Sequence, residues 1–248
     1  MKQGLDPAQI LTRLAFRKAL QGCDGVLDVG CGKSTIMKSL GVQDSTAIDG
    51  FAPYVEEARK GNFHTNVVLG DVRDLEQYFK PGQFDAVIAV DVIEHLTKED
   101  GMRMMRSMEK IAAKKVIFFT PSGFLPQHSF ENNSMQEHLS GWEANEMTGL
   151  GYKVTGLLGP KKLRGGLHVL KGRPRFLWAM LSLFAPFIWT QRVPSKSAAI
   201  LCVKTKNRET LENQLAILAA FAWLLVIVVS LLSGLVFADS DFTIVKTR

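Results

Sequence analysis

The stretch that decides the fold is Val26-Leu27-Asp28-Val29-Gly30-Cys31-Gly32-Lys33-Ser34-Thr35. An apolar run that carries one carboxylate, that of Asp28, breaks into two glycines and opens into a segment typical of a helix (Ser34 to Leu40). This order predicts a strand, a tight turn and a helix N-terminus, where glycine lets the backbone approach a ligand and unpaired N–H groups are available. The charge of Asp28 beside the turn favours a nucleoside ligand that also bears a cation.

Residue count excludes two phosphate-binding motifs at this turn. Gly32-Lys33-Ser34 ends like a P-loop, but the first glycine of that motif would fall at position 27, which is Leu27. The dinucleotide motif G-x-G-x-x-G would need its third glycine at position 35, which is Thr35. An ordinary turn between a strand and a helix remains the alternative when this stretch is considered alone.

Three more apolar runs along the chain end in acids. Asp49 closes the second run and lies 19 positions after Gly30, where an acid accepts hydrogen bonds from ribose hydroxyls. The third run ends at Asp71, and the fourth leads into Asp91-Val92-Ile93-Glu94-His95-Leu96. Each acid alone could simply cap the following helix, but their order along the chain indicates one shared site.

These segments together resemble the class I S-adenosylmethionine (SAM) methyltransferases. Leu27–Gly32 resembles the first motif of that family, and Asp91–Leu96 is similar to the fourth motif of many small-molecule members. The resemblance implies that the glycine loop passes under the methionine part of SAM, and that the third acid and its neighbour contact adenine. The family often has glycine where this chain has Ser34. The expected cofactor-binding residues are Asp28, Gly30, Cys31, Gly32, Asp49, Gly50, Asp71, Val72 and Asp91.

The alternation of strands and helices predicts an α/β fold with a doubly wound, mostly parallel sheet and ligands at the carboxyl ends of the strands. The resemblance implies seven strands in a Rossmann-like arrangement, the last one antiparallel beside the fifth. We expect the methyltransferase domain to span residues 1–206. The predicted strands are 25–30, 45–49, 66–70, 84–90, 115–120, 153–158 and 198–204, with a helix at 97–112.

Candidate catalytic residues follow the fourth and fifth strands. SAM carries its own leaving group, so the protein mainly aligns the acceptor, and a general base helps when the acceptor is a hydroxyl. We rank His138 first and His95 second as bases, with Glu137 as a carboxylate that could orient the imidazole; a purely structural role is the alternative for each histidine. The three cysteines form no C-x-x-C pair and have no histidine at zinc spacing, so no metal site is expected.

Charge is distributed unevenly along the chain. From Met147 to Arg208 there is no Asp or Glu, and the same stretch has twelve Lys and Arg, against a net charge of +6 for all 248 residues. Such a surface favours an anionic partner, either nucleic acid or acidic lipid headgroups. The N-P-P-Y and D-P-P-Y segments of many base-methylating enzymes are absent, as is a Pro-Cys pair, which argues against a nucleic-acid substrate.

Two apolar segments favour the lipid interpretation. Ile217–Ala238 is almost entirely apolar and uncharged, and its 22 residues would form a helix about 33 Å long, enough to cross a bilayer. We therefore expect residues 207–248 to carry a transmembrane helix at about 215–238 and a short tail. Within an insertion at 159–197, residues 176–189 are typical of an in-plane interfacial segment or of a lid over the substrate pocket.

The sequence therefore predicts a SAM-dependent methyltransferase held on a membrane by a single span, with its catalytic domain on the cytosolic side. Its acceptor would be a small or lipid-like molecule, and its membrane partners anionic lipid headgroups. Two alternatives stay open. The chain could be a membrane adaptor whose methyltransferase fold has lost turnover, or it could methylate a protein or RNA held at the membrane.

Overall fold

The computed structural model describes residues 7–33, 36–129, 133–163 and 193–206. In this part of the chain seven strands form one sheet in the order β3-β2-β1-β4-β5-β7-β6. The strands are β1 Gly25–Val29, β2 Asp44–Asp49, β3 Asn66–Leu69, β4 Phe84–Val90, β5 Ala112–Pro121, β6 Lys153–Pro160 and β7 Ser197–Thr205. The helices are α1 Pro7–Leu20, α2 Ile36–Leu40, α3 Ala52–Gly61, α4 Lys98–Ile111 and α5 Ala144–Gly149.

The pairing of the strands confirms the predicted sheet. β1 pairs in parallel with β2 and β4, β2 with β3, and β4 with β5. β7 runs antiparallel between β5 and β6, so the last strand lies beside the fifth as expected. The strand order reverses between β1 and β4, and the crevice at such a switch point is where ligands bind in open α/β sheets.

Successive side chains of a strand point to opposite faces of the sheet, so neighbouring residues of the central strands pack in two different apolar cores. Leu27 and Val29 pack in one apolar cluster with the buried face of α4, whereas Val26 packs in a second cluster with Phe16 of α1 and Met37 of α2. Helices thus cover both faces of the sheet. Because the sheet is buried on both faces, the strand ends and their loops are left to form a site.

α4 follows the candidate site and has a well-defined start. The Thr97 side chain accepts a hydrogen bond from the backbone N–H of Asp100 at 3.2 Å, which caps the helix. Its buried face presents Met104, Met108 and Ile111 to the core. The helix therefore fixes the loop between β4 and α4 from its C-terminal side.

Two sequence predictions lie outside the described residues: the transmembrane helix at 215–238 and the interfacial segment at 176–189. Within the described residues, no helix has both the length and the apolar character needed to cross a bilayer. Residues 1–206 group as one unit. Of the insertion at 159–197, the described part contains the short 3₁₀ helices Lys161–Leu163 and Pro194–Lys196.

Candidate active site

A cavity of about 520 Å³ opens at the carboxyl ends of the parallel strands. Its volume lies within the range of small-molecule and cofactor sites. The loops after β1, β2, β3 and β4 form most of its wall, and a segment after β5 closes one side. The lining residues are Gly30, Gly32, Asp49, Gly50, Ala52, Leu69, Gly70, Asp71, Val72, Arg73, Asp91, Val92, His95, Leu96, Thr97, Asp100, Asn133, Ser134, Met135, Gln136 and Leu139.

The glycine loop is tightly packed at Gly30. This residue has a φ of +69°, in the left-handed region, and its N–H donates to the carbonyl oxygen of Ile48 at 2.7 Å. A Cβ at Gly30 would lie 2.6 Å from Cγ2 of Val92, which is closer than carbon atoms approach. Both the backbone angle and the contact with Val92 therefore require glycine here.

Asp49 holds the glycine loop to the turn after β2. One carboxylate oxygen accepts from the N–H of Gly32 at 2.8 Å, and the other accepts from the N–H of Phe51 at 2.8 Å. Burial raises the pKa of Asp49, while the two backbone hydrogen bonds work in the opposite direction. Each oxygen uses one lone pair in these bonds and keeps a second one. Because Asp49 lines the cavity, these lone pairs are available to a ligand.

Asp71 and Val72 line the cavity at the end of β3. The Asp71 carboxylate accepts from Nε of Arg73 at 2.9 Å and from its Nη2 at 2.5 Å. These hydrogen bonds lower the pKa of Asp71. The side chain is thereby fixed in its ionised form at the cavity wall.

Two of the expected cofactor residues, Asp28 and Cys31, are not among the cavity-lining residues. The Asp28 carboxyl is buried, and its Oδ2 lies 3.7 Å from Nε2 of His64, a side chain that is itself fully buried. Burial and the neighbouring charge of Asp49 raise the pKa of Asp28 to about 7. Cys31 packs in a small apolar cluster with Val55 of α3, and burial raises the pKa of its thiol.

Asp91 and Glu94 bring two carboxyl groups together after β4. Asp91 adopts a φ of +53°, which is unusual for a residue with a side chain, and it lines the cavity. Glu94 is 2% exposed, and its Oε2 accepts from the hydroxyl of Thr120 at 2.9 Å. Burial raises the pKa of Glu94 well above its usual range, and the charge of Asp91 raises it further.

The two candidate bases, His95 and His138, are neighbours. Their ring centroids lie 4.7 Å apart with the planes inclined at 67°. Nδ1 of His95 contacts the backbone carbonyl oxygen of Glu137 at 3.1 Å, and Nδ1 of His138 contacts that of Leu125 at 2.5 Å. His95 lines the cavity, whereas His138 and Glu137 are not among its lining residues. Backbone carbonyls therefore orient both rings, and the exposed Glu137 takes part through its main chain.

Backbone hydrogen bonds hold the loop after β4 against the segment after β5. The N–H groups of Leu139 and Ser140 donate to the carbonyl oxygen of Glu94 at 2.8 and 3.0 Å. The indole N–H of Trp142, which is fully buried, lies 3.0 Å from the hydroxyl of Ser140 and 3.3 Å from the carbonyl oxygen of Ile93. These contacts bring His138 beside Glu94 and His95 although the two segments are more than 40 positions apart in sequence.

Sequence reasoning did not select Glu94 as a site residue, and it expected no metal site. One potential ligand atom from each of Glu94, His95 and His138 lies within 4.8 Å of the others. The available signal was a carboxylate inside an otherwise apolar segment, Val92-Ile93-Glu94, because such residues are rarely buried without a partner. Spacing rules for metal sites did not detect the group, since the third member comes from a distant loop.

A family model described as a methyltransferase domain matches residues 27–120. The chain is similar to a SAM-dependent methyltransferase structure from Archaeoglobus fulgidus, with 16% identity, a TM-score of 0.52, and coverage of 80% of this chain and 94% of that one. It is also similar to the methyltransferase domain of bacterial CtHen1-CN (18% identity, TM-score 0.48, coverage 81% and 99%). A third similar structure is magnesium protoporphyrin IX methyltransferase from Synechocystis PCC 6803 (16% identity, TM-score 0.46, coverage 80% and 80%). No curated protein matches the chain.

Proposed function

We propose that this chain is a SAM-dependent methyltransferase that binds SAM in the cavity described above and methylates a small or lipid-like acceptor beside His95; the match of residues 27–120 to a methyltransferase domain and the fold support this proposal. The observation that carries the proposal is the composition of the cavity wall. All the expected cofactor residues except Asp28 and Cys31 line this one cavity. Residues from four separate strand ends therefore converge where a nucleoside cofactor needs them.

Each part of the wall suits one part of SAM. The glycine loop offers backbone contact at Gly30 and Gly32, which suits the methionine portion. Asp49 keeps lone pairs available for the ribose hydroxyls, since its bonds to Gly32 and Phe51 use only one lone pair of each oxygen. Val72, at the end of β3, offers an apolar surface for the adenine ring.

The reaction requires little covalent chemistry from the protein. The acceptor atom attacks the methyl carbon, the bond between that carbon and the sulfonium sulfur breaks, and its electron pair stays on sulfur. Because SAM supplies this leaving group, the enzyme contributes mainly by aligning the acceptor with the methyl group. The cavity wall at His95 and Leu139 is the acceptor end of this arrangement.

The histidine pair can manage the acceptor's proton. Burial lowers the pKa of His95, so its ring is neutral near pH 7. Because a carbonyl oxygen can only accept a hydrogen bond, we assign the hydrogen of each ring to Nδ1 and the lone pair to Nε2. Such a lone pair can take a proton from a hydroxyl acceptor.

We place the enzyme on a membrane, with its catalytic domain in the cytosol. The support for this part comes from the sequence: the apolar span Ile217–Ala238 and the acid-free basic stretch from Met147 to Arg208. A catalytic domain attached beside a bilayer meets apolar acceptors at high local concentration. This is the reason to favour a lipid-like acceptor over a freely soluble one.

Methyl transfer from tritiated SAM to fractionated membrane lipids and proteins tests the proposal. We expect the full chain in detergent to label the lipid fraction and to bind SAM by calorimetry. Absence of SAM binding would overturn the proposal. Binding without transfer to any fraction would favour the adaptor instead, and label in the protein fraction would favour a protein acceptor. Removal of residues 211–248 should reduce labelling of bilayer lipid while SAM affinity is kept.

A further inference from the structure

Three buried or half-buried side chains with metal-binding atoms meet at the edge of the cavity. Glu94 is 2% exposed, His138 is 8% exposed, and His95 lines the cavity. One carboxylate oxygen and one nitrogen from each imidazole lie within 4.8 Å of one another. Two ligands of a tetrahedral zinc ion are roughly 3.4 Å apart, so no pair would need to close by more than about 1.4 Å.

One oxygen of Glu94 makes no hydrogen bond of normal geometry within the described residues, and the Asp91 carboxyl beside it raises the pKa of Glu94 rather than compensating its charge. Oε2 accepts from the Thr120 hydroxyl, but Oε1 is buried and has no hydrogen-bond partner in the described part of the chain. A buried polar atom of this kind is costly and calls for an explanation, such as an ion that the site is built to hold. The Glu94 carboxyl belongs to the same cluster as the two imidazoles.

The orientation of the imidazoles also suits metal binding. In metalloproteins a ligating histidine usually donates its other ring N–H to a carbonyl or carboxylate, which fixes the tautomer and the direction of the ring. His95 and His138 both have this arrangement, with the carbonyl oxygens of Glu137 and Leu125 as the fixed acceptors. We assign Nε2 of each ring as the metal-binding nitrogen.

We propose that Glu94, His95 and His138 bind one divalent transition-metal ion, with Zn²⁺ as the best match to the donor set. Two imidazoles and one carboxylate form the protein ligands of known catalytic zinc sites, which keep a further position open. Mg²⁺ and Ca²⁺ prefer sites made entirely of oxygen, so the two imidazoles select against them. The negative charge of Asp91, which borders Glu94, adds to the attraction for a cation.

The consequence for the reaction depends on the proposed function. His95 lines the cavity at its acceptor end, so an ion held by His95 would present its open position to the acceptor. A hydroxyl bound there loses its proton to solvent more readily, and the resulting oxygen anion attacks the methyl carbon of SAM. The carbon–sulfur bond breaks, the electron pair stays on sulfur, and S-adenosylhomocysteine leaves. The acceptor class that this geometry favours is an oxygen nucleophile.

Metal titration of the full chain in detergent, stripped of metal with a chelator, tests the site without any methyl acceptor. Co²⁺ serves as the spectroscopic probe, and Zn²⁺ and Mg²⁺ are added in competition. We expect one Co²⁺ per chain, displacement by Zn²⁺ but not by Mg²⁺, and weaker binding as the pH falls, because protons compete for the ligands. In Glu94→Gln and His138→Gln we expect the affinity to fall by at least about tenfold.

Two controls keep the outcome unambiguous. His128→Gln removes an exposed histidine from the same loop and should leave Co²⁺ affinity unchanged. SAM affinity of the metal-free variants, measured by calorimetry, reports whether each still folds. Stoichiometric binding that survives both Glu94→Gln and His138→Gln, or no binding at all, would overturn the metal site. SAM binding without metal binding would leave the proposed function standing, whereas metal binding without SAM binding would reject the proposed function alone.

Discussion

The two sides of the cavity are built in opposite ways. On the glycine side, formed by Gly30, Gly32 and Asp49, backbone faces the ligand, and the one charged side chain has both oxygens hydrogen-bonded. On the histidine side, formed by Glu94, His95 and His138, the functional groups are side chains. One carboxylate oxygen of Glu94 is buried there and has no hydrogen-bond partner among the described residues. The charged group of the glycine side therefore has hydrogen-bond partners without a ligand, whereas a buried polar atom of the histidine side gains a partner only when something binds there.

This difference suggests that the glycine side binds SAM and that the histidine side takes part in methyl transfer. A preorganised backbone surface binds a cofactor without rearrangement, and its residues lie close together in sequence. The histidine side combines the loop after β4 with a segment that Ser140 and Trp142 attach to it. Changes on the glycine side should therefore affect SAM binding, and changes on the histidine side should affect turnover.

The largest effect is expected from Gly30→Ala on the glycine side. The new Cβ would lie 2.6 Å from Val92 and would occupy a left-handed backbone conformation. Overpacking and left-handed strain each cost about 1 to 3 kcal/mol. We expect the melting temperature to fall and SAM affinity to drop by at least about 100-fold, as measured by thermal unfolding and calorimetry.

Gly50→Ala is the matched control, because Gly50 also lines the cavity. A Cβ there would lie 3.6 Å from the Met135 side chain, which is an ordinary contact. We expect its melting temperature to stay near that of the wild type. Equal destabilisation by the two substitutions would show that the close contact between Gly30 and Val92 is not the reason why position 30 requires glycine.

Asp28→Asn should change how stability depends on pH. The pKa of Asp28 is about 7 in the folded protein and about 3.8 when unfolded, so the folded state holds the proton more firmly. Between these values folding binds protons, and the free energy of unfolding must decrease as the pH rises. Above pH 7 the loss is complete, and at about 1.4 kcal/mol per unit it amounts to a few kcal/mol.

Denaturant unfolding of both proteins from pH 4 to pH 8 measures this effect. Asn resembles the protonated carboxyl, so the two proteins should have similar stability near pH 4, and the variant should be the more stable at pH 8. The lowered pKa of His64 gives an opposite trend, and because its cause is burial and not the charge of Asp28 we expect it to persist in the variant. If the free energy of unfolding changed with pH in the same way in both proteins, Asp28 would not be a buried carboxyl with a raised pKa.

On the histidine side, His138→Gln should reduce turnover and spare SAM binding. The variant loses the imidazole that packs against His95 and that would be a ligand of the proposed metal, so the general base or the metal site at His95 is disturbed, and general bases contribute roughly 100-fold or more. We expect methyl transfer from tritiated SAM into the membrane fraction to fall about 100-fold, with SAM affinity changed less than about threefold. If SAM affinity fell as much as turnover, the histidine side would also contribute to SAM binding, and the proposed division between the two sides would be wrong.

The glycine side could be predicted from sequence because its elements are local. The strands 25–30 and 45–49, which lead into this side, follow from apolar runs, and the structure places them at Gly25–Val29 and Asp44–Asp49. Asp49 could be assigned to the cavity because acids at neighbouring strand ends meet there. The seven-stranded sheet was implied by the resemblance.

Other features depend on contacts that no local pattern encodes. Asp28 lies in the same strand as residues with the expected pattern, but its side chain points towards His64, which lies just before β3. The meeting of Glu94 with His138 depends on how the segment after β5 folds back onto the loop after β4. Distances along the chain give no indication of either contact.

The smallest effect is expected from Asp49→Asn on the glycine side. The amide can still accept from either Gly32 or Phe51, but its NH₂ group would then face the other N–H, so one charge-assisted hydrogen bond is lost. Such a bond contributes about 1.5 to 3 kcal/mol, and because the glycine loop keeps its other contacts we expect SAM affinity to fall about tenfold. Asp44→Asn, at the exposed opposite end of β2, is the control and should leave the affinity unchanged. If Asp49→Asn lowered turnover at saturating SAM instead of affinity, Asp49 would act in the chemical step, and the division between a binding side and a reacting side would fail.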